Sequence, residues 1–243
     1  MNIPRSILGV LAGALAALAG FGALASDGVL VFGGTRETGL ETVRTLVAKG
    51  DSVTVMVRAT SNTEALKAVG KVNLVIGDAM NAEDVRQAFA SGKFRAVVSS
   101  LGGTRGQPRP DWEGNRNVTD AAKAAGVKRL VQVSAIGTGD SVVAVSAETI
   151  KFLGPVYAEK IKAEDHLKAS GLVYTIIRPG GLTDEPATGN GMLTEDVTVG
   201  GEMTRADLGK LVAESIDDPK AANKVYSAVD RNRIAKTPMA PSR

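Results

Sequence analysis

Val29-Leu30-Val31-Phe32-Gly33-Gly34-Thr35-Arg36-Glu37-Thr38-Gly39-Leu40 decides how this chain folds. An apolar strand runs into a glycine turn. An amphipathic helix then opens at once, with Leu40, Val43, Leu46 and Val47 on one face. Such a unit gathers unpaired backbone N–H groups and the positive end of a helix dipole at one point, which suits a pyrophosphate. A glycine pattern alone is a weak signal, but here the strand before it and the helix after it supply the context that the motif requires.

The next strand, Ser52 to Val57, ends in Arg58. Folds that take NAD usually place an Asp or Glu at that point for the ribose hydroxyls. A carboxylate would repel a 2′-phosphate, whereas a guanidinium holds one in a bidentate pair. Arg36, inside the turn, is within reach of the same phosphate or of the pyrophosphate. The reading favours NADP(H) over NAD(H).

Downstream, short β-branched runs alternate with helical stretches. Val72 to Ile76 reads as a strand entering Gly77-Asp78, and Asn81 to Ala90 as a helix capped by Asn81. Ala96 to Leu101 is a strand ending at Gly102-Gly103, followed by a loop, Thr104 to Pro110. A helix from Glu113 to Ala125 closes at Gly126, and Arg129 to Ser134 is the fifth strand. A helix from Tyr157 to Ser170 precedes the sixth strand, Val173 to Ile177, which runs into Arg178-Pro179-Gly180-Gly181. Thr204-Arg205-Ala206-Asp207 reads as a capping box opening a helix to about Ile216, and Lys224 to Val229 as an edge strand. The tail, Arg231 to Arg243, reads as frayed. Alternation of this kind implies right-handed crossovers and an α/β fold with a doubly wound parallel sheet. The expected strand order is 3-2-1-4-5-6, with ligand at the carboxyl ends of the strands.

At 243 residues the chain fits one large α/β domain, here taken as residues 26–230. The net charge is only +3 and no Lys/Arg run stands out, so nucleic acid is not an expected partner. The chain has no cysteine, which excludes disulfides, thiolate metal sites and cysteine nucleophiles. Its one histidine, His166, lies in a charge-dense helical stretch and reads as part of a solvated face. A histidine-cluster metal site and a Ser-His-Asp hydrolase are therefore not expected. Met1 to Arg5 is a short basic start, Ile7 to Leu24 is an uncharged Ala/Leu/Gly run, and Ala23-Leu24-Ala25 precedes Ser26. Residues 1–25 thus have the parts of a secretory signal, and the run also approaches the length of a membrane anchor. The expectation is an exported protein (periplasm or lumen) or a membrane-tethered one, touching the bilayer only through this segment. A misassigned start would make it cytoplasmic.

From Gly28 to Asp230 the chain resembles the atypical short-chain dehydrogenase/reductase group. Within it, the NAD(P)-binding NmrA-like proteins and the flavin reductase/biliverdin-IXβ reductase type are most similar. The resemblance rests on Gly33-Gly34-Thr35-Arg36-Glu37-Thr38-Gly39, Gly77-Asp78, Ser99-Ser100-Leu101-Gly102 and Glu113-Gly114-Asn115-Arg116-Asn117. It continues through Val133-Ser134-Ala135, Lys160 with Glu164, and Arg178-Pro179-Gly180-Gly181-Leu182. It implies that Gly33, Gly34, Thr35, Arg36, Thr38 and Gly39 wrap the cofactor phosphates and that Arg58 takes the 2′-phosphate. It likewise puts Asp78 and Ala79 at the adenine, Leu101 and Gly102 along the nicotinamide ribose, and Pro179 near the nicotinamide. Glu37 departs from the pattern, which more often has Gly there. A carboxylate beside a pyrophosphate is unfavourable unless Arg36 neutralises it or it turns to solvent.

Typical members of the wider group use a Ser with Tyr-x-x-x-Lys, the Tyr as proton donor. Ser134 and Tyr157 fit, but Ile161 stands four residues after the tyrosine, with Lys160 and Lys162 on either side. Residues i and i+3 share a helix face, so Tyr157 and Lys160 remain a candidate pair beside Ser134, and Lys160 aligns with a family lysine that contacts the cofactor ribose. The flavin reductase type implies chemistry without a tyrosine: hydride passes to a conjugated acceptor, and solvent supplies the proton. The apolar stretch Ser141 to Gly154 reads either as an acceptor pocket or as core. The resulting expectation is an NADP(H)-dependent reductase of a small conjugated or carbonyl substrate. The alternative is a nucleotide-sensing regulator or assembly factor without turnover.

Overall fold

The computed structural model describes residues 27–103, 109–235 and 238. The quoted stretch forms its centre. β1 (Gly28–Phe32) is buried at every position and lies between two parallel neighbours, β2 (Val53–Val57) and β4 (Phe94–Ser99). A strand buried on both faces needs a continuous apolar run rather than alternation, and Val29-Leu30-Val31-Phe32 supplies one. β3 (Val72–Ile76), β5 (Arg129–Val133) and β6 (Val173–Pro179) extend the sheet in parallel. The expected order 3-2-1-4-5-6 is therefore the observed one.

Beyond β6 the order continues through β10 (Lys224–Asp230) to β8 (Gly191–Thr194). β10 pairs with both neighbours, so Lys224 to Val229 is an inner strand, and the antiparallel β8 forms the edge. Gly191-Met-Leu-Thr carries too little β-branched character to announce a strand. A two-stranded sheet joins β7 (Gly181–Thr183) to β9 (Glu202–Thr204). The tail is tied down further than expected: Ile234 bridges Gly201, and the Ala235 N–H donates to the Gly200 carbonyl.

Helices cover both faces. α1 (Glu37–Ala48) and α6 (Arg205–Ser215) pack together on one, burying Val43, Leu46, Leu208 and Val212 against Val31, Val55 and Val98. α3 (Ala82–Ala90), α4 (Glu113–Ala124) and α5 (Ala147–Ala169) cover the other, around Leu30, Phe32, Val85, Phe89, Val118 and Leu167. The short α2 (Glu64–Val69) links β2 to β3. Truncating a side chain such as Leu46 to Ala costs about 2–5 kcal/mol.

α5 corrects an expected boundary. It starts at Ala147, with the Ser146 side chain accepting from the Thr149 N–H, well before Tyr157. Gly154-Pro155, which reads as a helix breaker, lies inside it. The stretch Ser141 to Gly154 is therefore a 3₁₀ turn (Gly139–Ala144) followed by the first turns of α5. It divides between buried Ala144 and Val145 and exposed Val142, Val143, Ile150 and Phe152. No helix among the described residues is long and apolar enough to cross a membrane. The 1–25 segment, most of the Thr104–Pro110 loop and the end of the tail lie outside the described residues.

Candidate nucleotide site

The carboxyl ends of β1 and β4 border the point where the strand order reverses, the place at which doubly wound sheets bind nucleotides. Gly33 turns there with φ +83°, in the left-handed region that favours glycine. Gly39 is more constrained, since a Cβ at that position would stand 2.1 Å from the Gly33 carbonyl oxygen. Only glycine lets α1 sit this close to the end of β1. Gly34 is also close-packed, its Cβ position lying 2.8 Å from Val55.

No side chain caps the start of α1, so its first-turn N–H groups meet the turn directly. Thr35 is half-buried and Thr38 buried, while Arg36 is exposed. Glu37 has φ +54°, a conformation that costs a side chain energy, at the place where the family pattern has glycine. Its carboxylate is 59% exposed and lies 3.9 Å from the Arg36 guanidinium. It thus both turns to solvent and meets a cation.

The remaining residues matched to the cofactor follow the carboxyl ends of other strands. Arg58 is exposed directly after β2. After β3, the Asp78 N–H donates to Asp84 and its carboxylate accepts from Met80 N–H, and the Ala79 carbonyl accepts from Asn117. Leu101 is half-buried and Gly102 exposed after β4, and Pro179 is buried at the end of β6.

Ser134, Tyr157 and Lys160 are all placed, each with its own partners. Ser134 Oγ donates to Glu164 Oε1 at 2.5 Å. Tyr157 is wedged against Gly137, where a Cβ would stand 2.6 Å from its ring, and burial raises its phenol pKa. Lys160 Nζ lies 3.0 Å from Asp111 Oδ1. Lys160 and Ser134 are each held by an ion cluster that involves residues without a role in the sequence reading.

The first cluster centres on Asp111, which has no exposed side-chain surface. Its Oδ2 accepts from the Gly103 N–H at 3.1 Å and from Arg109 Nε at 2.9 Å. Burial pushes this carboxyl up, but Lys160 and Arg109 outweigh burial and hold it below the ordinary Asp range. Asn115 Nδ2 donates to the Asp111 carbonyl, and Ser99 Oγ donates to Asn115.

The second cluster centres on Glu164, which takes two bonds from Arg178 (Nη2–Oε2 2.6 Å, Nε–Oε1 3.1 Å), and one from Thr138 as well as that from Ser134. Arg178 also pairs with Asp140. Burial pushes Glu164 up, and Arg178, Ser134 and Thr138 together hold it down. A cue was available: Arg178 interrupts an otherwise apolar strand, and a buried arginine needs a carboxylate. Asp111 gave no local cue.

His166 bridges to Asp120 at 2.7 Å and meets the Trp112 ring edge-on. No group of His, Cys, Asp and Glu able to hold a metal ion occurs among the described residues.

A sheet of this order, with a glycine turn at its switch point and an uncapped helix facing that turn, defines a nucleotide-binding Rossmann domain. Residues 33–219 match the family model described as NAD(P)H-binding, and the chain belongs to that family. It is similar to the solved structure of ChuY, an anaerobilin reductase from Escherichia coli O157:H7, with 30% identity and a TM-score of 0.74. That match covers 88% of this chain and 99% of the other. An uncharacterized sugar epimerase, YhfK, from Bacillus subtilis is 30% identical over 74% of this chain and 82% of its own length. Sanguinarine reductase from Eschscholzia californica is 28% identical over 75% of this chain and 67% of its own length. The fold and motifs are those of the NAD(P)-binding oxidoreductases of the atypical short-chain dehydrogenase/reductase type.

Proposed function

We propose that the protein is an NADPH-dependent reductase of a small conjugated or carbonyl acceptor such as a quinone or flavin, with solvent supplying the proton. One observation carries the reading: Lys160 is committed to Asp111, and Ser134 donates to Glu164. Neither is thereby poised to activate Tyr157, whose phenol burial makes harder to ionise. The residues at the turn fit a dinucleotide, because Gly33, at φ +83°, and Gly39, packed against Gly33 and Ser100, bring the uncapped start of α1 up to the end of β1, so that its first N–H groups face the turn. Gly33, Gly34, Thr35, Arg36, Thr38 and Gly39 would hold the phosphates, and Asp78 and Ala79 the adenine. Arg58, exposed beside them in place of an acid, supports NADP(H) through a charge-assisted contact with the 2′-phosphate. Leu101, Gly102 and Pro179 would orient the nicotinamide ribose and ring and keep water from that face. The bound cofactor supplies the hydride. Two of the similar proteins carry reductase names, which supports the same class of reaction.

The test is NADPH oxidation by the purified protein with a panel of quinones, flavins, a linear tetrapyrrole and aldehydes. Turnover with a conjugated acceptor, retained in Tyr157→Phe, is the expected result. A loss of about 10²-fold or more in Tyr157→Phe, with fold and NADPH affinity intact, would make Tyr157 the proton donor instead. NADPH binding with no turnover on any acceptor would favour a nucleotide-sensing role.

A further inference from the structure

The Asp111 cluster holds one more positive charge than negative, since a single carboxylate meets both Lys160 and Arg109. The surplus belongs to Lys160. Arg109 shares its oxygen with the Gly103 N–H and is 31% exposed to water, whereas the Lys160 side chain is only 13% exposed. A nearly buried ammonium is costly unless something fixes it and something of opposite sign meets it. Asp111 does the fixing. Gly103, held by the same carboxylate, follows directly on Leu101 and Gly102 at the carboxyl end of β4, on the border of the switch-point crevice. The ligand class that such a crevice takes is a polyanionic dinucleotide.

We propose that Asp111 is a positioning residue that holds the Lys160 ammonium at this crevice as a fixed counter-charge for the nucleotide. The inference rests on the nucleotide-binding reading above, and not on any choice of acceptor or proton donor. A lysine is a point charge on a flexible stem, and its contribution to a ligand depends on what holds the stem in place. By this account, Asp111 acts on the nucleotide only through Lys160.

The test uses Lys160→Met, the pair Arg109→Gln with Asp111→Asn, and all three together. The pair removes the anchor but keeps the cluster at one positive charge, so position is separated from net charge. The asparagine oxygen can still accept the Gly103 N–H. NADPH and NADH dissociation constants, the emission of bound NADPH and the melting temperature are measured at fixed ionic strength. Lys160→Met is expected to weaken both nucleotides by roughly tenfold or more, as for loss of a charged contact. The pair should weaken binding several-fold and change the emission of bound NADPH. All three together should bind nucleotide no more weakly than Lys160→Met alone.

Wild-type affinity in the pair would show that only net charge matters, and would overturn the proposal. Losses that simply add, or that track the melting temperature, would assign Asp111 a structural role and overturn it as well. Wild-type protein that binds neither nucleotide would overturn both this inference and the reading beneath it.

Discussion

The two buried ion clusters differ in composition, and the difference tracks their position. Around Asp111, one carboxylate serves two cations at the border of the crevice. Around Arg178, two cations, its guanidinium and Lys168, serve two carboxylates, Glu164 and Asp140, in the seam between α5 and β6, and two hydroxyls saturate Glu164. The seam is satisfied internally, and its chemistry is spent on holding α5 to the sheet. The crevice cluster carries an unspent positive charge. Counting charges thus separates the seam, which is balanced in itself, from the crevice cluster, which has a cation left over.

Removing the guanidinium in Arg178→Met probes the seam most severely. It leaves Glu164 buried without its two-bond partner, with only Lys168 at 3.7 Å, at about 3–5 kcal/mol, and the melting temperature should fall by roughly 10 °C or more. Nucleotide affinity of the folded protein should stay within about twofold of wild type. If affinity fell while the melting temperature held, the comparison would be broken.

Arg58→Asp should produce the reverse pattern. NADPH affinity relative to NADH should drop roughly tenfold to a hundredfold, the scale of one bidentate charged contact, with stability unchanged. Calorimetric titration of both nucleotides measures this, and equal affinities in the wild type would remove the basis for NADP(H).

Acid sharpens the comparison further. The Glu164 carboxyl is held below its ordinary value of 4.5, so its stabilisation is fully present above that value. It is lost as pH falls through the lowered folded value. Wild type should therefore lose stability more steeply between about pH 5 and about pH 3 than Glu164→Gln does, which denaturant titrations across that range would record. Parallel acid limbs would mean that Glu164 does not carry this stability.

The smallest effect belongs to Glu37→Gly. Releasing a side chain from φ +54° gains about 1 kcal/mol, partly offset by the greater freedom of glycine in the unfolded chain. The melting temperature should rise by a degree or two, and nucleotide should bind slightly tighter at low salt. Weaker binding would identify Glu37 as a ligand contact.

Much of the nucleotide half was legible because its signals are local. The turn from Gly33 to Gly39, the Asn81 cap and the Thr204 cap each depend on neighbours within a few residues. The start of α5 is hard to read because Gly154-Pro155, a pair that disfavours helix, stands between the Ser146 cap on Thr149 and Tyr157. β10 reads as an edge in sequence because its outer partner is a four-residue strand with little β character of its own. The ion clusters were illegible for a different reason. Ser134 and Glu164 stand 30 residues apart and meet only after β5 and α5 have packed. Spacing can align Tyr157 with Lys160 on one helix face, but it cannot show that Asp111 claims the lysine first.

Pro155 gives α5 a mechanical division of labour. With no N–H to offer, it leaves the carbonyl of Lys151 without its helical bond at the junction between two unlike segments. The shaft below is riveted by Tyr157, Ala163, Glu164 and Leu167, while the arm above buries only Thr149 and carries the exposed Ile150 and Phe152. Bending the helix at this joint breaks one hydrogen bond fewer than bending it elsewhere, so the cost of a bend is lowest between the arm and the shaft that keeps the seam closed.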